Sequence, residues 1–162
     1  MEQPGAEDVD EIAGESGLWI VDCGLHSRII MARVAIGFRD LEVYQRSFLG
    51  QQRVFDLSKT FPREEKYSLT DQVRRSSRAI GANIAEAWQK RRYPAHFVSK
   101  LTDADAELAE TLHWLSTAFA SGYIVEAMHA DLNGEYEAIG RTIGGMMIHA
   151  DTWCASQSTV HN

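Results

Sequence analysis

The segment from residue 61 to residue 92 most constrains the fold, because it has the pattern of one helix with three different faces. Three arginines, Arg74, Arg75 and Arg78, point away from the apolar face, and small residues fill the positions between. So thin a helix suits close approach by other helices. The apolar face, whose residues recur at helical spacing, comprises Leu69, Val73, Ser76, Ile80, Asn83, Ile84 and Ala87.

An upstream helix is predicted from about residue 38 to residue 59, and it carries two stripes. The first, which we expect to face the core of its own chain, comprises Leu41, Tyr44, Phe48, Gln52 and Phe55. The second, on the opposite side, comprises Val43, Ser47, Gly50, Val54 and Leu57. One apolar face buries a helix in its own domain, whereas a second face indicates another contact. We therefore expect the second stripe to meet another subunit.

Two more helices are predicted downstream, from Pro94 to about Ala120 and from about Val125 to Ala150. The third helix has the core stripe Phe97, Leu101, Ala104, Leu108, Leu112, Leu115 and Phe119. The fourth has Met128, Leu132, Tyr136, Ile139, Ile143, Met146 and Met147. Short connections between amphipathic helices are typical of antiparallel neighbours. The sequence predicts an all-α, up-down-up-down antiparallel four-helix bundle over residues 38–150.

The predicted helix ends rest on capping signals. We expect the second helix to begin near Ser68, whose hydroxyl can cap backbone donors with Asp71 three residues later. We expect it to end near residues 90–92, where cations suit a helix C-terminus. Ser121 and Gly122 predict a C-terminal cap and tight turn after the third helix.

The flanks of the bundle carry weaker signals. Residues 1–37 are predicted to be a poorly ordered or appended segment, and residues 151–162 a C-terminal tail. One interpretation of residues 17–37 is a short strand or turn packed on the domain; the interpretation we favour is that translation naturally begins at Met31 and the upstream residues have no role in the fold. Two distant cysteines, Cys23 and Cys154, match no metal spacing, and no apolar run approaches the roughly 18 residues of a membrane span. We expect a cytoplasmic protein without a cofactor.

Several motifs taken together resemble the four-helix-bundle family encoded in intervening sequences of 23S ribosomal RNA, which is related to the accessory variability proteins of retroelements. The first motif comprises Phe38, Leu41, Val43 and Gln45, and the second comprises Phe61, Pro62, Glu65, Tyr67, Leu69, Gln72, Arg74 and Arg75. The third motif comprises Ile80, Asn83, Ile84, Ala85 and Glu86. Two short motifs complete the pattern, Glu107 with Leu108 and then Gly122, Tyr123 and Ile124. Ala87 stands where this family usually has glycine. The resemblance implies a bundle that assembles as a ring, commonly a homopentamer, with no established enzymatic activity.

The charge is divided along the chain. Residues 62–92 carry eight basic and four acidic side chains, net +4, whereas residues 93–162 carry two basic and nine acidic ones, net −7. The candidate binding residues are Arg74, Arg75, Arg78, Lys90, Arg91 and Arg92. They suit RNA phosphates or an acidic protein partner. The alternative, which we favour, is that they form salt bridges with carboxylates on the third and fourth helices, within or between subunits.

The remaining candidates concern assembly and internal packing. Subunit contacts are predicted at Val43, Ser47, Val54, Leu57, Ala82 and Trp114. We expect Asn83 and Glu86 to form a structural polar network, since a buried amide needs partners and no nucleophile is placed beside them.

A di-metal site is the most specific enzymatic hypothesis that the sequence suggests, but the positions of its candidate ligands disfavour it. Glu110–His113 and Glu126–His129 have the Glu-x-x-His spacing that di-metal bundles use. Both pairs lie away from the predicted core stripes, so we expect no metal and no catalytic residue. The favoured function is a non-enzymatic, self-assembling helical scaffold or interaction protein. The alternative is an accessory protein associated with RNA or a reverse transcriptase through the basic second helix.

Overall fold

The computed structural model describes residues 35–154, and every regular element within that range is helical. The described elements belong to a compact unit that spans Gly37–Asn162. Most of the predicted N-terminal segment 1–37, including Met31 and Cys23, lies outside the described residues, as do residues 155–162 of the predicted tail.

Five α-helices follow one another along this range. Their bounds are α1 Glu42–Leu57, α2 Asp71–Lys90, α3 Pro94–Ala120, α4 Glu126–Ile148 and α5 Ala150–Cys154. Short turns of 3₁₀ helix occupy Phe38–Asp40, Ser58–Thr60 and Arg63–Glu65, and a π-helical turn at Lys66–Thr70 leads directly into α2. The four long helices agree with the predicted ones, and residues 151–154 of the predicted tail lie in α5.

The predicted helix ends have mixed outcomes. Gly122 adopts φ +75° after α3, and its N–H donates to the carbonyl of Phe119 at 2.9 Å, as the predicted cap requires. The predicted cap at Ser68 is wrong. Its hydroxyl donates to the Glu65 carboxylate, because the π turn continues into α2 and leaves the helix without a free end there.

Each long helix packs against two of the others. α1 contacts α2 and α4, and α3 contacts the same two helices. Residues early in one helix meet residues late in its neighbour. On α2 and α3, for example, Ser76 Oγ lies 3.0 Å from Thr111 Oγ1, and Glu86 lies 3.1 Å from Lys100.

The burial of the two α1 stripes is largely the reverse of the prediction: most of the stripe expected at a subunit contact is buried, and part of the stripe expected in the core is exposed. Leu41, just before α1, is buried as expected, but Phe48 is 45% exposed. Val43, Ser47 and Val54 are buried inside their own chain, with Val54 only 1% exposed. The predicted subunit contacts at these three buried positions are therefore wrong. The physical reason is space, since large side chains from the neighbouring helices already occupy the interior and only small residues of α1 fit against them.

Tyr136 of α4 is the largest of those side chains. It is fully buried, and its ring packs directly against the backbone of α1 at Gly50. A Cβ added to Gly50 would lie 3.1 Å from the tyrosine hydroxyl and 3.3 Å from Cζ. The Tyr136 hydroxyl lies near Ser77 but completes no well-formed hydrogen bond within the described residues. Burial raises the pKa of Tyr136. Gly50 is thus required by close approach.

We expect Gly50→Ala to destabilise the protein relative to Gly134→Ala. Both changes gain about 1 kcal/mol of helix propensity, but only Gly50 is crowded, and overpacking costs about 1–3 kcal/mol. A Cβ at Gly134 meets nothing within 4 Å. Urea unfolding of the two variants should therefore differ by about 1–3 kcal/mol. Equal stability would contradict the packing described above.

Val54→Arg should prevent folding instead of merely dissociating an assembly. An arginine at this fully buried position would place an unpaired charge in the core, at a cost of several kcal/mol. Gln52→Arg, on the exposed face of the same helix, is the matched control. Circular dichroism should show lost helicity for the first variant and native helicity for the second. Native helicity in both would place Val54 at the surface, as the helical spacing alone predicts.

Candidate functional site

The basic residues of α2 fall into two groups at opposite ends of the helix. Arg74, Arg75 and Arg78 lie near its start, and Lys90 with Arg91 at its end. At 1.5 Å per residue, the centres of the two groups are about 22 Å apart along the axis. The six predicted binding residues therefore form two separate surfaces, and the first of these is the candidate site.

Within the first group, only Arg75 approaches the acidic half of the chain. Its guanidinium lies 3.6 Å from the Glu110 carboxylate on α3, and its side chain is 70% exposed. Exposed pairs of this kind contribute little, typically under about 1 kcal/mol. Of the expected salt bridges between these arginines and α3, the described structure thus contains one weak pair, Arg75 with Glu110.

Arg74 and Arg78 instead reach toward α1. Their guanidinium carbons lie 4.9 Å and 5.6 Å from the centroid of the Phe55 ring, and Arg74 Nε donates to Ser58 Oγ at 2.7 Å. Neither arginine has a carboxylate partner among residues 35–154. Within the described residues neither arginine forms the predicted pair with α3 or α4, because the half-buried aromatic ring of α1 lies beneath them, and the predicted pairing between subunits stays a prediction.

The second group is engaged locally. Lys90 pairs with Glu86 at 3.7 Å, and Arg91 donates to the carbonyl of Trp88 at 2.6 Å while its guanidinium lies 3.9 Å from the Trp88 ring centroid. Arg92 lies 5.8 Å from the ring of Tyr93. These contacts cap the end of α2 and cover Trp88, which is itself buried.

Asn83 and Glu86 share one partner on α3. Lys100 Nζ lies 3.1 Å from the Glu86 carboxylate and donates to Asn83 Oδ1 at 3.4 Å, and it also pairs with Asp103 at 3.0 Å. The hydrogen bond from Lys100 lowers the pKa of Glu86, while bonds to Asp103 and then Glu86 raise the pKa of Lys100. The structure thus places both predicted network residues in a polar cluster that links α2 to α3.

The most extensive ion-pair contact between helices lies elsewhere, between α1 and α4. Arg53 forms charge-assisted hydrogen bonds with Asp131 and with Glu135, the latter at 3.0 Å, and Arg46 lies 3.9 Å from Glu135. The bond to Asp131 is the main cause of a raised Arg53 pKa. Sequence reasoning missed this cluster, although arginines seven residues apart facing carboxylates four residues apart could have indicated it.

A basic cleft adjoins Arg74 at the corner between α1 and α2. We call it the corner cleft, and it has a volume of about 400 Å³. Among the described residues, its lining includes four basic side chains and no acidic one. The lining residues are Ser58, Lys59, Phe61, Pro62, Arg63, Lys66, Thr70 and Arg74.

The loop that forms one wall of the corner cleft is anchored to the far end of α3. Glu65 accepts hydrogen bonds from Tyr123 at 3.1 Å and from Ser68 at 2.5 Å, and the Phe61 and Tyr123 ring centroids lie 6.0 Å apart. The bond to Glu65 raises the pKa of Tyr123. This explains physically why a phenylalanine, a glutamate and a distant tyrosine occur together in the sequence motifs: they hold the loop between α1 and α2 in place.

The Glu-x-x-His pairs do not converge. Glu110 accepts from Trp114 Nε1 at 3.0 Å, while His129 stacks on Phe119 at 4.7 Å and contacts Ser116 at 3.3 Å. Among the described residues, no three His, Cys, Asp or Glu side chains are placed together to hold a metal ion. The part of the chain that the structure describes also contains no helix long and apolar enough to cross a membrane.

The remaining interface candidates lie at the surface to different degrees. Ala82 is exposed, whereas Leu57 and Trp114 are half-buried. The sequence analysis missed two better candidates on α1, Phe48 and Leu49, which are 45% and 61% exposed in the described structure. A contact-forming role for any of these residues stays a prediction.

Comparison with known proteins identifies the family. The model of the 23S rRNA-intervening sequence protein family matches residues 39–145. A crystal structure from Bacteroides thetaiotaomicron, described as a protein with unknown function from the S23 ribosomal protein family, is 29% identical with a TM-score of 0.60. The match covers 65% of this chain and 95% of that one. No curated protein matches this chain.

Replacing Arg74, Arg75 and Arg78 together by Gln should leave the fold intact. The triple variant loses one exposed ion pair, the hydrogen bonds from Arg74 to Ser58 and from Arg75 to Gln72, and two contacts with Phe55, in total roughly 1–3 kcal/mol. Circular dichroism should show unchanged helicity, and urea unfolding a small shift compared with the exposed control Arg141→Gln. Loss of helical structure would show that these arginines are essential to the bundle.

Proposed function

Since the chain belongs to the 23S rRNA-intervening sequence protein family, we propose that it is a non-enzymatic, self-assembling helical scaffold or interaction protein. Each subunit is an up-down-up-down four-helix bundle, and the subunits form a closed ring. A homopentamer is the assembly that the family resemblance favours. The proposal concerns how copies of the chain meet, so it depends on the surfaces that the bundle leaves uncovered.

One observation carries the proposal: two adjacent large apolar residues on α1 face away from the bundle. Phe48 and Leu49 are 45% and 61% exposed, although the opposite face of α1 is fully buried. Tyr44 stacks beside Phe48, with ring centroids 6.3 Å apart, and extends this surface. We call these three residues the α1 outer face. Contiguous exposed apolar surface supports a contact with another protein.

The charge distribution supports a second copy as the partner. The start of α2 presents Arg78 without a carboxylate partner in the described structure and Arg75 with one weak partner, while α3 and α4 present the exposed carboxylates Asp105 and Glu137. A surface that is basic on one side and acidic on another is complementary to a copy of itself in head-to-tail orientation. Head-to-tail contacts generate a ring when the rotation closes. Tyr44 of the α1 outer face lies beside Gly81 of α2, three residues after Arg78.

The alternative function is an accessory protein that binds RNA or a ribonucleoprotein. The same arginines at the start of α2 support it, because guanidinium groups bind phosphate oxygens. The net charge of −7 makes unselective binding unfavourable and restricts any RNA contact to this local surface.

Replacing Phe48 and Leu49 by Ser should dissociate the assembly without unfolding the chain. Both side chains are exposed in the single bundle, so their loss costs the monomer little, whereas apolar area at an interface contributes about 25 cal/mol per Å². Light scattering should show a large fall in mass. The exposed control variant Gln45→Ser should keep the wild-type mass. An unchanged mass for the double Ser variant would contradict the role of the α1 outer face.

The triple Gln variant of Arg74, Arg75 and Arg78 separates the two functions. If Arg75 and Arg78 meet acidic helices of the next subunit, the variant should dissociate while wild-type protein shows little affinity for an RNA that carries a 5′-hydroxyl. We expect this result. If they bind RNA, wild-type binding should weaken steeply with salt and disappear in a variant whose oligomeric mass is unchanged. That second outcome would contradict the scaffold function and support the accessory-protein function.

A further inference from the structure

The corner cleft concentrates positive charge that the described residues do not neutralise. Of its four cations, Lys59 pairs with Asp56 at 2.7 Å. Arg63, Lys66 and Arg74 have no carboxylate partner within residues 35–154. Like charges held close together repel one another, and an anion bound between them relieves that repulsion. The cleft therefore has the electrostatic character of a site for a multiply charged anion.

The guanidinium of Arg74 is already oriented for such a ligand. Its Nε donates to Ser58 Oγ at 2.7 Å, and Ser58 is itself fixed by donating to the carbonyl of Phe55 at 2.9 Å. Fixing Nε leaves the two terminal nitrogens to form paired hydrogen bonds with oxygens of one anion. Ser58 thus acts as a positioning residue for Arg74.

The opposite wall is held in place by contacts outside the cleft. Glu65, two residues after Arg63, is turned toward Tyr123, whose hydroxyl lies 3.1 Å from its carboxylate. This hydrogen bond draws a carboxylate away from the cations and fixes the loop that carries Arg63. A site that is ordered before binding loses less entropy when a ligand arrives.

The size and lining of the corner cleft indicate more than a bare ion. Its volume of about 400 Å³ falls in the range of small-molecule pockets, roughly 300–1,000 Å³. Phe61 and Pro62 supply an apolar wall beside the cations. We propose that the corner cleft binds a phosphomonoester, with Arg63, Lys66 and Arg74 around the phosphate. The phosphomonoester belongs either to a free nucleotide-sized molecule or to the 5′ end of an RNA strand, and its binding does not depend on self-assembly.

Calorimetric titration with adenosine monophosphate tests this proposal, with adenosine as the uncharged comparison. We expect one nucleotide bound per chain and no saturable binding of adenosine. The double variant Arg63→Gln/Lys66→Gln should weaken binding at least about tenfold, since it removes two charge-assisted contacts. The control Lys90→Gln/Arg92→Gln removes the same charge from the other end of α2 and should leave the affinity within about twofold. Circular dichroism should show native helicity in both variants.

A competition experiment distinguishes the two sources of the phosphate. An RNA oligonucleotide with a 5′-phosphate should bind better than the same oligonucleotide with a 5′-hydroxyl. If adenosine monophosphate displaces it at comparable concentration, the ligand is a free small molecule, and if only the RNA end binds tightly, the ligand is the strand end. Three results would overturn the proposal: no saturable binding of either phosphomonoester at millimolar concentration, equal weakening by the control variant, or dissociation of the oligomer by Arg63→Gln/Lys66→Gln. The last result would assign the cleft to carboxylates of a neighbouring copy.

Discussion

The close approach of α1 to Tyr136 determines how the rest of the molecule is arranged. The tyrosine ring fills the interior directly beneath Gly50, so α1 contributes only small side chains to the core along that face. Ser47 and Val54 are buried on either side of the glycine for the same reason. A helix in this position must turn its large residues outward, since packed interiors have no spare volume.

The surfaces of the protein follow from that rotation of α1. Phe48 and Leu49 become an exposed apolar surface, and Phe55 lies beneath Arg74 and Arg78 instead of inside the bundle. Arg74 is thereby held at the corner cleft, and neither arginine has a carboxylate partner on α3 or α4 within residues 35–154. The exposed apolar surface of α1 and the placement of Arg74 and Arg78 are thus consequences of one packing constraint.

The sequence predicts the long helices well because their apolar spacing and capping residues are local signals. The start of α3 at Pro94 and the turn at Gly122 are examples. The inward face of α1 could not be predicted in this way. Hydrophobicity favours the aromatic stripe, and only the position of Tyr136, almost ninety residues away, reverses the assignment. The corner cleft is also invisible to helical periodicity, because Arg63 and Lys66 lie in irregular turns whose placement depends on the contact between Glu65 and Tyr123.

Native mass spectrometry of the unmodified chain over a range of concentrations tests the central claim of self-assembly most directly. We expect one discrete species at several times 18.2 kDa, with five subunits favoured, whose mass stays constant as concentration rises because the ring is closed. A monomer at micromolar concentration, or a mass that grows without limit, would contradict self-assembly into a closed ring.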